Sequence, residues 1–410
     1  MRVAGIIAEY NPFHQGHLYH LQQTRALTGA DAVVVVLSGA FVQRGEPALT
    51  DKFCRAAMAV RGGADVVLEL PAPYATASAE TFAGGAVEIL DSLGVVTDLV
   101  YGCECPEPER FSAVAQVLTE EPAPFAKCLR DEMRRGRTWP EARATALEVC
   151  LPGNRDLLCS PNNILAVEYH KALYRRNSSI RPIALQRRGQ DYHSDHIPTD
   201  AALPSSATAL RTEFAWLDRC LSAEKPGSLP AEALQERFPE NPVWKQLPDF
   251  CVSELPWRLY PDDFSVLLHD ALLRTPPDEL ANIQDMSPDL AARLSHLSGQ
   301  LLTYTELAEQ LKTRQFTRTR VNRALIHTLL GFSGAPTPLS AVRLLAMRRG
   351  TPVMRAIQDH TSLPIVTKLA DAPAGALDAD LRADAIYHTA LWQKSGLRLD
   401  VSDQAGPRIL

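Results

Sequence analysis

The run Asn11-Pro12-Phe13-His14-Gln15-Gly16-His17 sets two imidazoles three residues apart across a glycine. An apolar stretch before it and a helical pattern after it put the run at the mouth of a helix. Unpaired N–H groups and a partial positive charge favour an anion there. Gly16 lets a phosphate approach the backbone, and two imidazole donors can meet charge developing on it. Two other readings of the same residues stay open. His14, His17 and His20 can be ordinary helix-start residues, or metal ligands through their i, i+3 spacing. Neither a Walker A sequence nor G-x-G-x-x-G is present.

A second constellation is cationic. Lys312, Arg314, Arg318, Arg320 and Arg323 follow one another around Phe316 with no acidic residue between them, and Arg343, Arg348, Arg349 and Arg355 extend the basic stretch. The chain as a whole is acidic, with 42 Lys+Arg against 48 Asp+Glu and a formal net charge of −6. It therefore has no general attraction to nucleic acid. A local cluster fits an RNA phosphate track, and the alternative is a solvated helix face balanced by acids elsewhere. Eight cysteines lack C-x-x-C spacing, which argues for reduced thiols rather than a zinc ribbon or a disulfide scaffold.

The elements around the first turn read as a strand over Val3 to Tyr10, a loop from Asn11 to Gly16 and a helix from His17 to about Leu27. Strands at Asp31 to Leu37, Asp65 to Leu70 and Thr97 to Tyr101 alternate with helices at Lys52 to Arg61 and Ala79 to Leu93. Continuous apolar strands alternating with helices call for a parallel sheet covered on both faces, with ligands at the carboxyl ends of the strands. Helical patterns fill Glu109 to Leu151. Ser160 is an N-cap with Pro161 at the first helical position, and Ile180 to Gln186 is a late strand. Beyond about Arg211 the strand signal fades, and Pro-containing loops separate the amphipathic stretches Pro230 to Arg237, Asp262 to Leu273 and Val321 to Leu330.

At about 150 residues per domain, 410 residues suggest two or three domains. The longest aliphatic run, Ala32 to Leu37, is far short of the roughly 20 residues of a membrane helix, and Glu9 interrupts the N-terminal apolar stretch too early for a secretory signal. The expectation is a cytoplasmic protein without a membrane or an obligate protein partner.

His-x-Gly-His after the first strand of a parallel sheet resembles the nucleotidyltransferase superfamily. In that family the His pair contacts the phosphates of ATP and stabilises in-line attack on the α-phosphate. Ser205-Ser206-Ala207-Thr208-Ala209-Leu210-Arg211 is similar to the family's late S-S-T-x-[IL]-R element, with Ala207 in place of one hydroxyl. Three further blocks narrow the resemblance to the bacterial tRNA(Met) cytidine acetate ligases: Ala8 to His17, Ser38 to Ala48, and Ser160-Pro161-Asn162-Asn163-Ile164-Leu165, with Tyr192-His193 extending it.

The resemblance implies a Rossmann-like α/β nucleotidyltransferase domain over residues 1–213, which binds ATP, and a mostly α-helical domain over 214–410, which binds tRNA. It implies activation of acetate by ATP to acetyl adenylate, then acetylation of the wobble cytidine of elongator tRNA(Met). Mg2+ is expected with the triphosphate. His14 and His17 are the implied catalytic pair. The implied ATP contacts are Ile7, Ala8, Glu9, Tyr10, Asn11, Pro12, Phe13, His14, Gln15, Gly16, His17, Leu18, Tyr19, His20, Gly102, Asn162, Arg187, Arg188, Ser206 and Thr208. Arg314, Arg318, Arg320 and Arg323 are the implied RNA contacts. Ala40 stands where the family usually carries a polar residue, so the hydrogen bond of that side chain is absent and the part of the Ser38-Gly39 loop in binding acetate or the target base is left open. Two rival functions fit some of these features: a small-molecule adenylyltransferase of cofactor synthesis, and a non-catalytic, nucleotide-dependent RNA binder.

Overall fold

The computed structural model describes residues 1–187, 197, 203–222, 227–397 and 406–410. Its centre is a mostly parallel sheet. Strands β1 (Val3–Ala8), β2 (Ala32–Ser38), β5 (Val66–Leu70), β6 (Asp98–Cys103) and β7 (Arg181–Gln186) run in the order β5-β2-β1-β6-β7. A two-stranded hairpin, β3 (Phe41–Val42) and β4 (Glu46–Pro47), follows β2. Chain order reverses at β1, so β1 and β6 flank the switch point where such sheets take their ligands.

The helices are α1 (Gln15–Thr28), α2 (Lys52–Arg61), α3 (Ala72–Ala75), α4 (Ala79–Ser92), α5 (Pro108–Glu120), α6 (Ala123–Arg134), α7 (Trp139–Cys150), α8 (Pro161–Arg176) and α9 (Ala207–Leu221), followed by a largely helical region. Strand β2 shows why both faces of the sheet are covered. Val34 and Val36 enter one apolar cluster with Phe82, Ile89 and Phe111, while Val33, Val35 and Leu37 enter the other with Met58, Phe214 and Leu345. Side chains alternate across a strand, so an unbroken run of valines buries both faces.

Two sequence expectations change here. Helix α1 begins at Gln15, not His17, because His14 itself caps it. The sheet also does not stop near residue 213. The segment after the helices returns as β8 (Val342–Met347), antiparallel to β5, and adds β9 (Ile365–Val366) and β10 (Arg408–Ile409) at the edge. Buried charges seal this return. The Lys52 ammonium lies 2.7 Å from Glu69 of β5 and pairs with Asp384 of the helix Asp378–Ser395. Arg343 of β8, only 4 % exposed, lies 3.5 Å from Asp384. Arg343 is therefore no part of a surface phosphate track, and Arg348 beyond it is ion-paired with Asp65. Among the described residues, no helix is long and apolar enough to cross a membrane.

Candidate active site

A cavity opens at the carboxyl ends of β1 and β6. Ile7, Ala8 and Glu9 line it from β1, Tyr101 and Gly102 from β6, and His14, His17 and His20 from α1. Asn162 at the start of α8 and Ser206, Thr208 and Arg211 at the start of α9 complete one side. Three helix N-termini thus turn towards one space. Their orphan N–H groups and dipoles suit a polyanion.

The imidazole pair is built locally. His14 is the N-cap of α1, and its Nδ1 accepts from the Gly16 N–H at 3.0 Å. His17 reaches back in a reciprocal capping box, its Nδ1 accepting from the His14 N–H at 3.3 Å. The two rings lie 3.7 Å apart between centroids, and Tyr10 packs edge-on against His17 at 4.8 Å. Burial, with Arg187 and Arg211 nearby, pulls the His14 pKa down to about 3. Burial, the His14 ring and Arg187 hold His17 well below its ordinary value. Both rings are therefore neutral near pH 7. With each Nδ1 occupied as an acceptor, the proton sits on Nε2. The same capping box that starts the helix leaves two Nε2–H donors and no free basic nitrogen. Gly16 has a further reason to be glycine, since a Cβ there would come within 2.8 Å of the His14 ring.

His20 bonds the Val100 backbone, and burial lowers its pKa to about 4. Among the described residues its Nε2 has no hydrogen-bond partner, nor does the Asn11 amide nitrogen. The Asn11 side-chain oxygen accepts from the Leu49 N–H at 2.7 Å, and its backbone carbonyl accepts from Arg211 at 2.8 Å. Glu9 accepts from the Gln43 N–H at 2.8 Å, and burial raises its pKa against the opposing pull of Arg211 and Arg44. Arg187 donates to the Asn162 side-chain oxygen at 3.3 Å, and Gly102 leaves room for it, because a Cβ would touch the Arg187 side chain at 3.3 Å. Asn162 and the N-cap Ser160 each donate to Glu104 at 2.6 Å, pinning α8 to the end of β6.

Most of the expected contacts meet in this cavity. Gly16 and Tyr19 line an adjoining depression with Arg187 and Ser205. Pro12, Phe13, Gln15 and Leu18 lie outside both linings, and Phe13 is fully buried in the core beside Tyr10. Arg188, Tyr192 and His193 lie outside the described residues. Sequence reasoning singled out the block Ser38 to Ala48 but named none of Val42, Gln43, Arg44 and Glu46 as site residues, and it missed the aromatic residues Tyr101 and Tyr169. The Gly39 and Gly45 punctuation around Arg44, directly after a strand that neighbours β1, is the signal that could have found the first four. Arg211 was visible as the end of the hydroxyl element, one helical turn after Thr208, to which it donates at 3.4 Å. Ala40 is 4 % exposed within an apolar cluster that includes Phe264 and Leu268, a place where an unpaired polar group would be costly.

The cationic run is less uniform than its sequence. Arg314 is exposed. Arg318 pairs with Glu309, and Arg320 lies over the Phe316 ring at 5.6 Å. Arg323 donates to Asp285 through Nε and Nη2, at 2.9 and 3.0 Å.

Comparison with known proteins agrees with this geometry. Residues 1–399 match the family model described as HIGH Nucleotidyl Transferase. The chain is 35% identical over 385 residues to the tRNA(Met) cytidine acetate ligase of Acetivibrio thermocellus, covering 90% of this chain and 89% of that one. It is 35% identical to the protein of the same name from a Thermoanaerobacter species, covering 98% of each. Thermotoga maritima TmcAL in its apo form superposes with a TM-score of 0.87 at 29% identity over all of both chains, and the same protein bound with alpha-thio ATP at 0.84.

Proposed function

The chain belongs to the HIGH nucleotidyl transferase family, among the tRNA(Met) cytidine acetate ligases, and from that premise we propose that it acetylates the wobble cytidine of elongator tRNA(Met) at the expense of ATP. One observation carries the reading: two neutral imidazoles, His14 buried and His17 half-buried, present Nε2–H donors at the switch point of the sheet, amid three helix N-termini.

The chemistry has two steps. A carboxylate oxygen of acetate attacks the α-phosphorus of ATP, the bond to the β-phosphate oxygen breaks, and pyrophosphate leaves. Charge grows on the α-phosphoryl oxygens, and His14 and His17 stabilise it as hydrogen-bond donors that need not change protonation state. The exocyclic amine of cytidine then attacks the acetyl carbon, the carbon–oxygen bond to AMP breaks, and the amine proton leaves to solvent. Arg187, Ser206 and Thr208, with the N-termini of α1 and α9, hold the phosphates. Gly102, Asn162 and His20 serve the nucleoside end.

Mg2+ neutralises part of the triphosphate charge when bound. The carboxylates of the cavity are Glu9 and Glu46, and the described residues gather no cluster of three metal-ligating side chains. The phosphates themselves are therefore the proposed ligands of the ion. We assign tRNA to the helical region, with Arg314 the exposed end of an RNA-facing run that continues through Arg318 and Arg320, while Arg323, implied as an RNA contact by the resemblance, is assigned to anchoring its helix through Asp285. The cytoplasm, where tRNA is found, is the proposed compartment.

The deciding experiment incubates the protein with labelled acetate, ATP and bulk tRNA and analyses the nucleosides. Label in acetylcytidine is the expected result. Label in a small-molecule product, or none in RNA, replaces this reading with that of the cofactor adenylyltransferase.

A further inference from the structure

The hairpin after β2 puts Val42, Gln43, Arg44 and Glu46 on the cavity, and it is held by the helical region as well as by Glu9, Ala77 and Arg211. At its foot, Phe41 is fully buried against Phe264 and Tyr387, with ring centroids 5.5 and 6.2 Å away, and the Tyr387 hydroxyl donates to the Ala48 carbonyl at 2.9 Å. At its tip, Gly45 has a φ of 71°, and a Cβ there would fall on the backbone of Asn322 and Arg323. The hydroxyl of Tyr304, 1 % exposed, lies 2.9 Å from both the Gly45 and the Asn322 carbonyls. One phenol thus joins the turn that carries Arg44 to the helix Arg318–Leu330.

The nucleotide contacts proposed above come from the β1–α1 turn, the ends of β6 and β7 and the starts of α8 and α9. None comes from the hairpin. With Arg187 given to the phosphates, acetate needs a further cation for its carboxylate and a small apolar surface for its methyl. Resting on the ligase reading, we propose that the hairpin is the wall that takes the short carboxylate, with Arg44 holding its charge beside the apolar side chains of Val42 and Phe82, and that Tyr304 is a positioning residue for this wall. The helical region then does more than dock RNA, since it also shapes the acyl site of the first step.

Acetate-dependent exchange of pyrophosphate into ATP, measured without tRNA, tests this. Arg44→Gln should raise KM for acetate about tenfold or more, the scale of a lost charge-assisted hydrogen bond, while KM for ATP moves less than about threefold. Tyr304→Phe keeps the ring and removes the single hydroxyl donor that the Gly45 and Asn322 carbonyls share. It should raise KM for acetate by roughly three- to fivefold while melting as cooperatively as the parent. An Arg44→Gln enzyme whose KM rises for ATP as much as for acetate would give the wall to the nucleotide and overturn the proposal. A Tyr304→Phe enzyme with parental KM for acetate would remove the tether. No exchange in the parent itself would bring down the ligase reading and this inference with it.

Discussion

The imidazole turn at residues 10–20 and the arginine run at 312–323 were the two chemical signals of the sequence, and they differ in what surrounds them. In the turn the bonds that set the chemistry are local: His14 to Gly16, His17 back to His14. In the run the arginines meet acids from other segments, Arg318 with Glu309 and Arg323 with Asp285. A spacing motif keeps its meaning when its partners lie within one helical turn. A charge run has no fixed meaning until the acids folded against it are known.

The sharpest way to break this comparison is at the turn. His17→Ala should lower acetyl-adenylate formation by roughly a hundredfold, the scale for losing a transition-state donor, with cooperative melting retained. Pyrophosphate release measures it, and near-parental turnover in both His17→Ala and His14→Ala removes the pair from catalysis. Next, Arg187→Ala should weaken ATP binding about tenfold as one charge-assisted phosphate contact is lost. Calorimetry with ATP reads this, and an unchanged affinity returns Arg187 to the solvated surface.

The arginine run is sharpened by contrasting its two ends. Arg314→Ala should flatten the log-log salt dependence of tRNA binding by up to about one unit, with stability unchanged. Arg323→Ala should leave that slope alone and cost about 1 to 3 kcal/mol in denaturant unfolding, because Asp285 loses its partner. The opposite pattern would mean that the acids do not sort these arginines.

The smallest effect is a pH dependence at the turn. The unfolded chain takes up protons on its histidines as pH falls through about 6.5, while folded His14 stays neutral until about 3, so stability contributed here is lost as pH drops below 6.5. Going from pH 7.5 to 5, the parent should lose up to about 2 kcal/mol more than His14→Ala. Equal losses in the two proteins would show that His14 is not buried neutral.

Much of the fold was legible because alternation of apolar strands with helices is a periodic signal. Lys52–Arg61 is helical over the expected span, and the Ser160 cap with Pro161 starts α8 as read. The return of β8 was not legible. A strand of six residues whose neighbour β5 lies some 270 positions earlier carries no local mark of its partner, and Arg343 inside it read as surface charge. Phe13 was misplaced for a related reason: a contiguous motif does not say which of its side chains turn into the core.

By itself, the sequence determined the strands β1, β2, β5, β6 and β7, the turn after the first of them and the two imidazoles at the start of its helix, since each depends on residues within a few positions of one another. Only the tertiary structure decided that Arg44 and Arg211 complete the cavity, that Arg323 is anchored by Asp285, and that Tyr304 supports a hairpin some 260 residues away. The physical reason is one of range. Capping and periodicity act through neighbouring backbone groups, whereas burial and ion pairing depend on which distant segments the hydrophobic core brings together.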